Sequence, residues 1–165
     1  MSDQSEAFAE GIDFAVVAYR EEGVWQVEQI APEKVTDIES LASELRRWPG
    51  DGGSLGMVSV DEDFFLLVKV AGAQTQVLLS DVTAATDWPI ARSAVEFLEI
   101  PLPDDEDEQV PAGDADILAD LGLGAMDMGA LLDDYDLYPD EVLGDIAEKV
   151  GFGDRFHEVV GVPAS

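Results

Sequence analysis

Carboxylates are the reactive groups this chain holds in quantity. It has 37 Asp and Glu against 8 Lys and Arg, one histidine and no cysteine. Without cysteine there are no disulfides, Cys-ligated zinc sites, iron–sulfur clusters or thiol nucleophiles. His157 is followed directly by Glu158. One imidazole beside a carboxylate could serve only an unusual, carboxylate-rich metal site, and an ordinary packed or surface histidine accounts for it more simply. General acid–base work needs two carboxylates, one with its pKa raised by burial. Asp81 and Asp87, which bracket Thr83 and lead into Trp88-Pro89, are the best pair for it. Helix capping, a common role for Asp, explains both with less machinery. A Ser-His-Asp site on a nucleophile elbow is not expected. The glycine-rich stretch from Gly50 to Gly56 lacks the lysine and spacing of a phosphate loop and reads as a turn. Carboxylates around Asp104 and Asp133 come in runs, not at calcium-loop spacing. No catalytic residue, metal ligand or cofactor is expected.

Binding is therefore the chemistry to look for, and charge says what kind. The formal net charge of −29 repels nucleic-acid phosphates and anionic lipid headgroups. Direct binding to nucleic acid or membrane is not expected, and a basic protein surface is the natural counterpart. The acidity is uneven: residues 101–165 carry 18 acids against 2 bases, the first hundred 19 against 6. Asp104, Asp105, Glu106, Asp107 and Glu108 form an unbroken run. It reads either as solvated linker or as a docking strip for a Lys/Arg-rich surface, gaining association rate more than affinity. In DDYDLYPDE, Tyr135 and Tyr138 stand among Asp133, Asp134 and Asp136. Aromatic edges amid charge suit an interface, and a buried helix joint suits them equally.

Elements must position these groups. Residues 12–20 (IDFAVVAYR) are apolar on both faces, as in a central strand, and Glu-Glu-Gly turns the chain into a second strand over 24–30. There Trp25 and Val27 alternate with Gln26 and Glu28. Thr36 and Glu39 have capping-box spacing, and Ile38, Leu41, Ala42, Leu45 and Trp48 form one helical stripe. Strands follow at 55–60, 64–70 and 74–80. The middle one (FFLLVKV) should be covered on both faces. Asp81 can cap a short helical turn, and Pro89 opens a longer helix on which Ile90, Ala94, Phe97 and Leu98 share a face. The expected fold is α+β: a five-stranded antiparallel sheet in the order ββαβββα. That order resembles the roadblock and profilin-like α/β sandwiches, with residues 3–10 as material for a short preceding helix.

Three regions are expected: an α+β domain at 1–99, an acidic, proline-containing linker at 100–113 and a helical region at 114–165. Within the last, 114–121, 126–135, 140–150 and 154–160 read as short helices. They are too few to enclose a core alone and should dock on the first domain or on a partner. The acidic N-terminal stretch lacks a signal-peptide pattern and no apolar run reaches the ~20 residues of a membrane helix. A cytoplasmic location is the expectation.

The segments FAVVAYREEGVW, PGDGGSLGMVSVDEDFFLLVKV, LLSDVTAATDWPIA and LLDDYDLYPDEVLGDIAEKVGF together resemble the actinobacterial family of tRNA adenosine deaminase-associated proteins. The resemblance runs from Phe14 to Phe156. It implies an accessory or regulatory protein tied to a tRNA adenosine deaminase, with that enzyme as the basic partner. The chain is not that deaminase: the zinc chemistry needs a His and two Cys ligands with a Glu proton shuttle, and cysteine is missing. Two other readings stay open. One is a small carboxylate-dependent enzyme or ligand-binding protein using Asp81, Thr83 and Asp87; the other is a homo-oligomeric scaffold.

Overall fold

Alternation of apolar residues on both faces of the strands demands a layer on each side of the sheet, and the chain supplies both. In a computed structural model, which describes residues 12–30, 37–48, 53–60, 64–72, 74–86, 88–100, 111–114, 116–132 and 138–160, helices cover the two faces of one antiparallel sheet. Strands β1 (Ile12–Glu21) and β2 (Val24–Gln29) form a hairpin around Glu22-Gly23. β3 (Ser54–Val60), β4 (Phe64–Ala71) and β5 (Gln74–Leu79) follow as a meander. The spatial order is β2-β1-β3-β4-β5, with one further strand paired beyond β5. β4 fits the sequence reading closely, since every residue from Phe64 to Val70 is buried.

The sheet has six strands, not five. β6 is Ala112–Gly113, paired antiparallel with Leu78 and Leu79 of β5. Two residues carry no periodicity, so pattern alone placed them in the linker. Gly113 makes the pairing possible. Its φ is 112°, and any Cβ there would overlap the Val77 carbonyl oxygen. Asp114 N–H then donates to that same carbonyl at 2.9 Å.

The first face carries α1 (Ile38–Leu45) and α2 (Pro89–Phe97). α1 buries Ile38, Leu41, Ala42 and Leu45, with Trp48 packed at the edge of the cluster. Its cap is Asp37, whose carboxylate accepts from Ser40 N–H at 2.7 Å. The expected cap, Thr36, lies outside the described residues. Gly56 lets α1 sit close, because a Cβ there would come within 3.2 Å of both Leu45 methyl carbons. α2 starts at Pro89, as its fixed φ favours. It buries Ile90, Ala91, Ala94 and Val95 but leaves Phe97 42% exposed. Phe97 therefore departs from the expected face. The two helices are joined by Ser93, whose hydroxyl accepts from Ile38 N–H at 3.0 Å and donates to the Ile90 carbonyl at 2.8 Å.

The second face is closed by the helical region. α3 (Ala125–Leu132), α4 (Pro139–Val150) and α5 (Gly153–Val160) pack there. Met128, Leu143, Ile146, Phe152 and Phe156 share a core with Val16, Ala18, Met57, Phe65 and Leu67 of the sheet. Residues 116–121, expected as helix, form turns and a short 3-10 segment at Ala119–Leu121. Fully burying Phe152 and Phe156 stabilises the folded chain by about 1.5–3 kcal/mol each. Gln29 adds a polar tie, donating from Nε2 to the Val159 carbonyl at 2.8 Å. No helix among the described residues is long and apolar enough to cross a membrane.

Candidate partner-binding groove

An edge strand exposes one side of its backbone and needs cover. β2 is the edge strand of the sheet, and the α4–α5 junction packs beside it through Phe152, leaving a groove. Gly151-Phe152-Gly153 breaks the helix after Val150 and turns the chain back toward β2. Phe152 inserts against Trp25 with ring centroids 4.9 Å apart. Arg20, opposite Trp25 in the hairpin register, lays its guanidinium carbon 4.8 Å from the indole centroid. A guanidinium at that distance gains a cation–π attraction of about 0.5–1 kcal/mol when exposed. Around these rings lies an open groove of about 760 Å³, lined by Gly23, Val24, Trp25, Glu148, Phe152, Asp154, Arg155 and Glu158 among others. Val24 is 49% exposed at its mouth.

His157 stands on α5 with its side chain 14% exposed. Its Nε2 lies 3.6 Å from Glu148 Oε1, an ion pair when the imidazole is protonated. Its Nδ1 is buried without a hydrogen-bond partner, and Gly144 leaves just enough room for the ring beside α4. Glu158, the adjacent carboxylate, points to the groove lining rather than joining a shared site. Among the described residues no group of three or more His, Asp or Glu is placed to hold a metal ion.

Asp81 is 7% exposed and works as a cap. Its Oδ1 accepts from Thr83 N–H at 2.9 Å and from the Thr83 hydroxyl at 2.6 Å, fixing the 3-10 turn Val82–Thr86. Asp87 lies outside the described residues. Residues 52–56 (GGSLG) carry the G-x-S-x-G spacing. Ser54 is nevertheless 4% exposed inside β3, whereas a nucleophile elbow exposes its serine at a strand-to-helix turn.

Of the sequence-nominated binding residues, Tyr138 is the one described. It precedes α4, 58% exposed, and its backbone N–H donates to Glu141 Oε1 at 3.1 Å. Asp104, Asp105, Glu106, Asp107, Glu108, Asp133, Asp134, Tyr135 and Asp136 lie outside the described residues. The sequence reading missed Trp25, Phe152, Glu148 and Asp154 as neighbours. The usable signal was a large aromatic next to a hairpin turn, together with a Gly-Phe-Gly break between two amphipathic helices.

A family model for Rv3753c-like tRNA adenosine deaminase-associated proteins matches residues 13–153. The chain belongs to that family. Protein Rv3753c of Mycobacterium tuberculosis (strain ATCC 25618 / H37Rv) is 38% identical over 150 residues, covering 89% of this chain and 87% of the relative. No solved structure matches the chain. The family match spans the hairpin carrying Trp25 and the junction as far as Gly153, while Asp154, Arg155 and Glu158 of the groove lie beyond it.

Proposed function

We propose that this member of the deaminase-associated family is a non-catalytic accessory protein that binds a basic protein partner, the tRNA adenosine deaminase of its own organism. The observation that carries the reading is family membership in a chain without cysteine, which lacks the ligands of the zinc deaminases. The excess of 37 acids over 8 bases supports the sign of the partner. A deaminase that handles tRNA presents a basic surface to phosphates, and an acidic protein can occupy that surface while tRNA is absent. Asp104–Glu108 and Tyr138 contribute to the acidic, aromatic contact area in this reading, and the protein acts in the cytoplasm with its enzyme.

Co-purification of the two proteins at low and high salt tests it. Screening shortens from about 30 Å at 0.01 M to about 3 Å at 1 M salt, so a charge-driven complex forms at the first and weakens at the second. Absence of a complex at low salt overturns the reading. A complex indifferent to salt rejects the electrostatic account of it.

A further inference from the structure

Resting on the reading that this protein acts by binding a basic protein, we propose that the groove between the β1–β2 turn and the α4–α5 junction seats an amphipathic, Lys/Arg-bearing segment of that partner, with Trp25 as its anchor. Apolar exposure and charge together point to this occupant. The groove has apolar material to offer, since Val24 is 49% exposed and Trp25 lines the wall beside it. Large aromatics in such positions are the residues that most often dominate binding energy. The Arg20 guanidinium, 4.8 Å from the indole centroid, flanks the same anchor.

Charge complementarity selects the rest. Among the described lining residues, Glu148, Asp154 and Glu158 stand against one cation, Arg155. Glu148 is 53% exposed at its side chain and so remains open to an incoming ammonium or guanidinium even while near His157. An incoming strand or helix with leucine-like residues on one side and lysines on the other matches both halves of the groove. A purely polar basic chain satisfies the carboxylates but leaves Val24 and Trp25 wet; an acidic or neutral apolar chain leaves the carboxylates unpaired. Phe152 and Phe156, both buried, anchor the junction beneath the groove.

The test uses the full-length protein and two fluorescein-labelled peptides of equal positive charge, one of alternating leucine and lysine, the other of alternating glycine and lysine. Anisotropy titrations should show tighter binding of the leucine-bearing peptide. Trp25→Ala and Val24→Ser, which change no charge, should weaken that peptide, the first by about tenfold or more and the second by less, and leave the glycine-bearing one unchanged. The Glu148→Lys/Asp154→Lys pair should weaken it far more than Glu39→Lys/Glu96→Lys, which alters net charge identically at exposed sites on α1 and α2, away from the groove lining. Circular dichroism establishes that each variant is folded, and Val24→Ser, at an exposed site, serves if Trp25→Ala is not. Equal binding of the two peptides, or equal effects of the two reversal pairs, overturns the groove as the site. Failure of the deaminase to co-purify removes the partner named above, while the peptide titrations still decide the groove.

Discussion

Trp25 and Phe152 meet with ring centroids 4.9 Å apart and planes tilted by 45°. Through this contact the edge strand β2 and the α4–α5 junction hold each other, and the groove exists because they do. Aromatic pairs in this offset range add about 0.5–1.5 kcal/mol beyond the area they bury. The side chains differ in position: Phe152 is 1% exposed within the second core, whereas Trp25 is packed only partly against it.

Truncating Phe152 should therefore unfold more than it unbinds. Phe152→Ala is expected to lower stability by about 3–5 kcal/mol, the usual cost of emptying a buried phenylalanine site. Urea denaturation monitored by circular dichroism measures the loss. A change below about 1 kcal/mol would mean that the helical region does not rely on this joint.

On the opposite face, Gly56 and Leu45 define how closely α1 approaches the sheet. A Cβ at Gly56 already comes to 3.2 Å from the Leu45 methyl carbons, so Gly56→Val should destabilise by about 1–3 kcal/mol through overpacking. Adding Leu45→Ala should recover part of that loss, giving a non-additive pair. Thermal unfolding of the two single variants and the double variant completes the cycle; strict additivity would contradict the contact.

Asp81 is expected to matter for stability and not for binding. Asp81→Ala removes both hydrogen bonds to Thr83 and should cost about 1–2 kcal/mol, within the range for lost caps. Peptide and deaminase binding should match the parent protein. Loss of binding in a folded Asp81→Ala variant would reopen the carboxylate reading.

Tyr19 gives the protein an alkaline signature. Burial against Trp48, with Glu28 and then Glu21 adding negative charge nearby, raises its phenol above the ordinary 10.0. The folded state thus binds this proton more tightly than the unfolded chain does. The associated stabilisation is complete below pH 10 and is lost as pH rises through the folded-state value. Comparing Tyr19→Phe with the parent in denaturant between pH 9 and 12 should show a steeper alkaline decline for the parent. Parallel profiles would show that the phenol is not held in its neutral form.

Much of this architecture is written locally. The hairpin of β1 and β2, the doubly apolar β4, the stripe of α1 and the Pro89 start of α2 all follow from spacing and turn chemistry within a few residues. The cap moved by one position because Thr36 and Asp37 are both good capping residues, and pattern alone does not choose between neighbours. β6 was illegible because Ala112–Gly113 is too short to show a period, and its pairing depends on a strand more than thirty residues earlier.

The sequence by itself determined that this chain forms antiparallel strands and amphipathic helices, that it carries −29 of charge, and that no cysteine-based chemistry is open to it. Tertiary structure alone decided that the helical region covers the second face of the sheet and that its junction meets Trp25. The reason is physical: periodicity reports which side of an element is apolar, but many apolar faces are interchangeable in water. Shape decides among them, and the shapes of Trp25 and Phe152 become complementary only once the chain between them has folded.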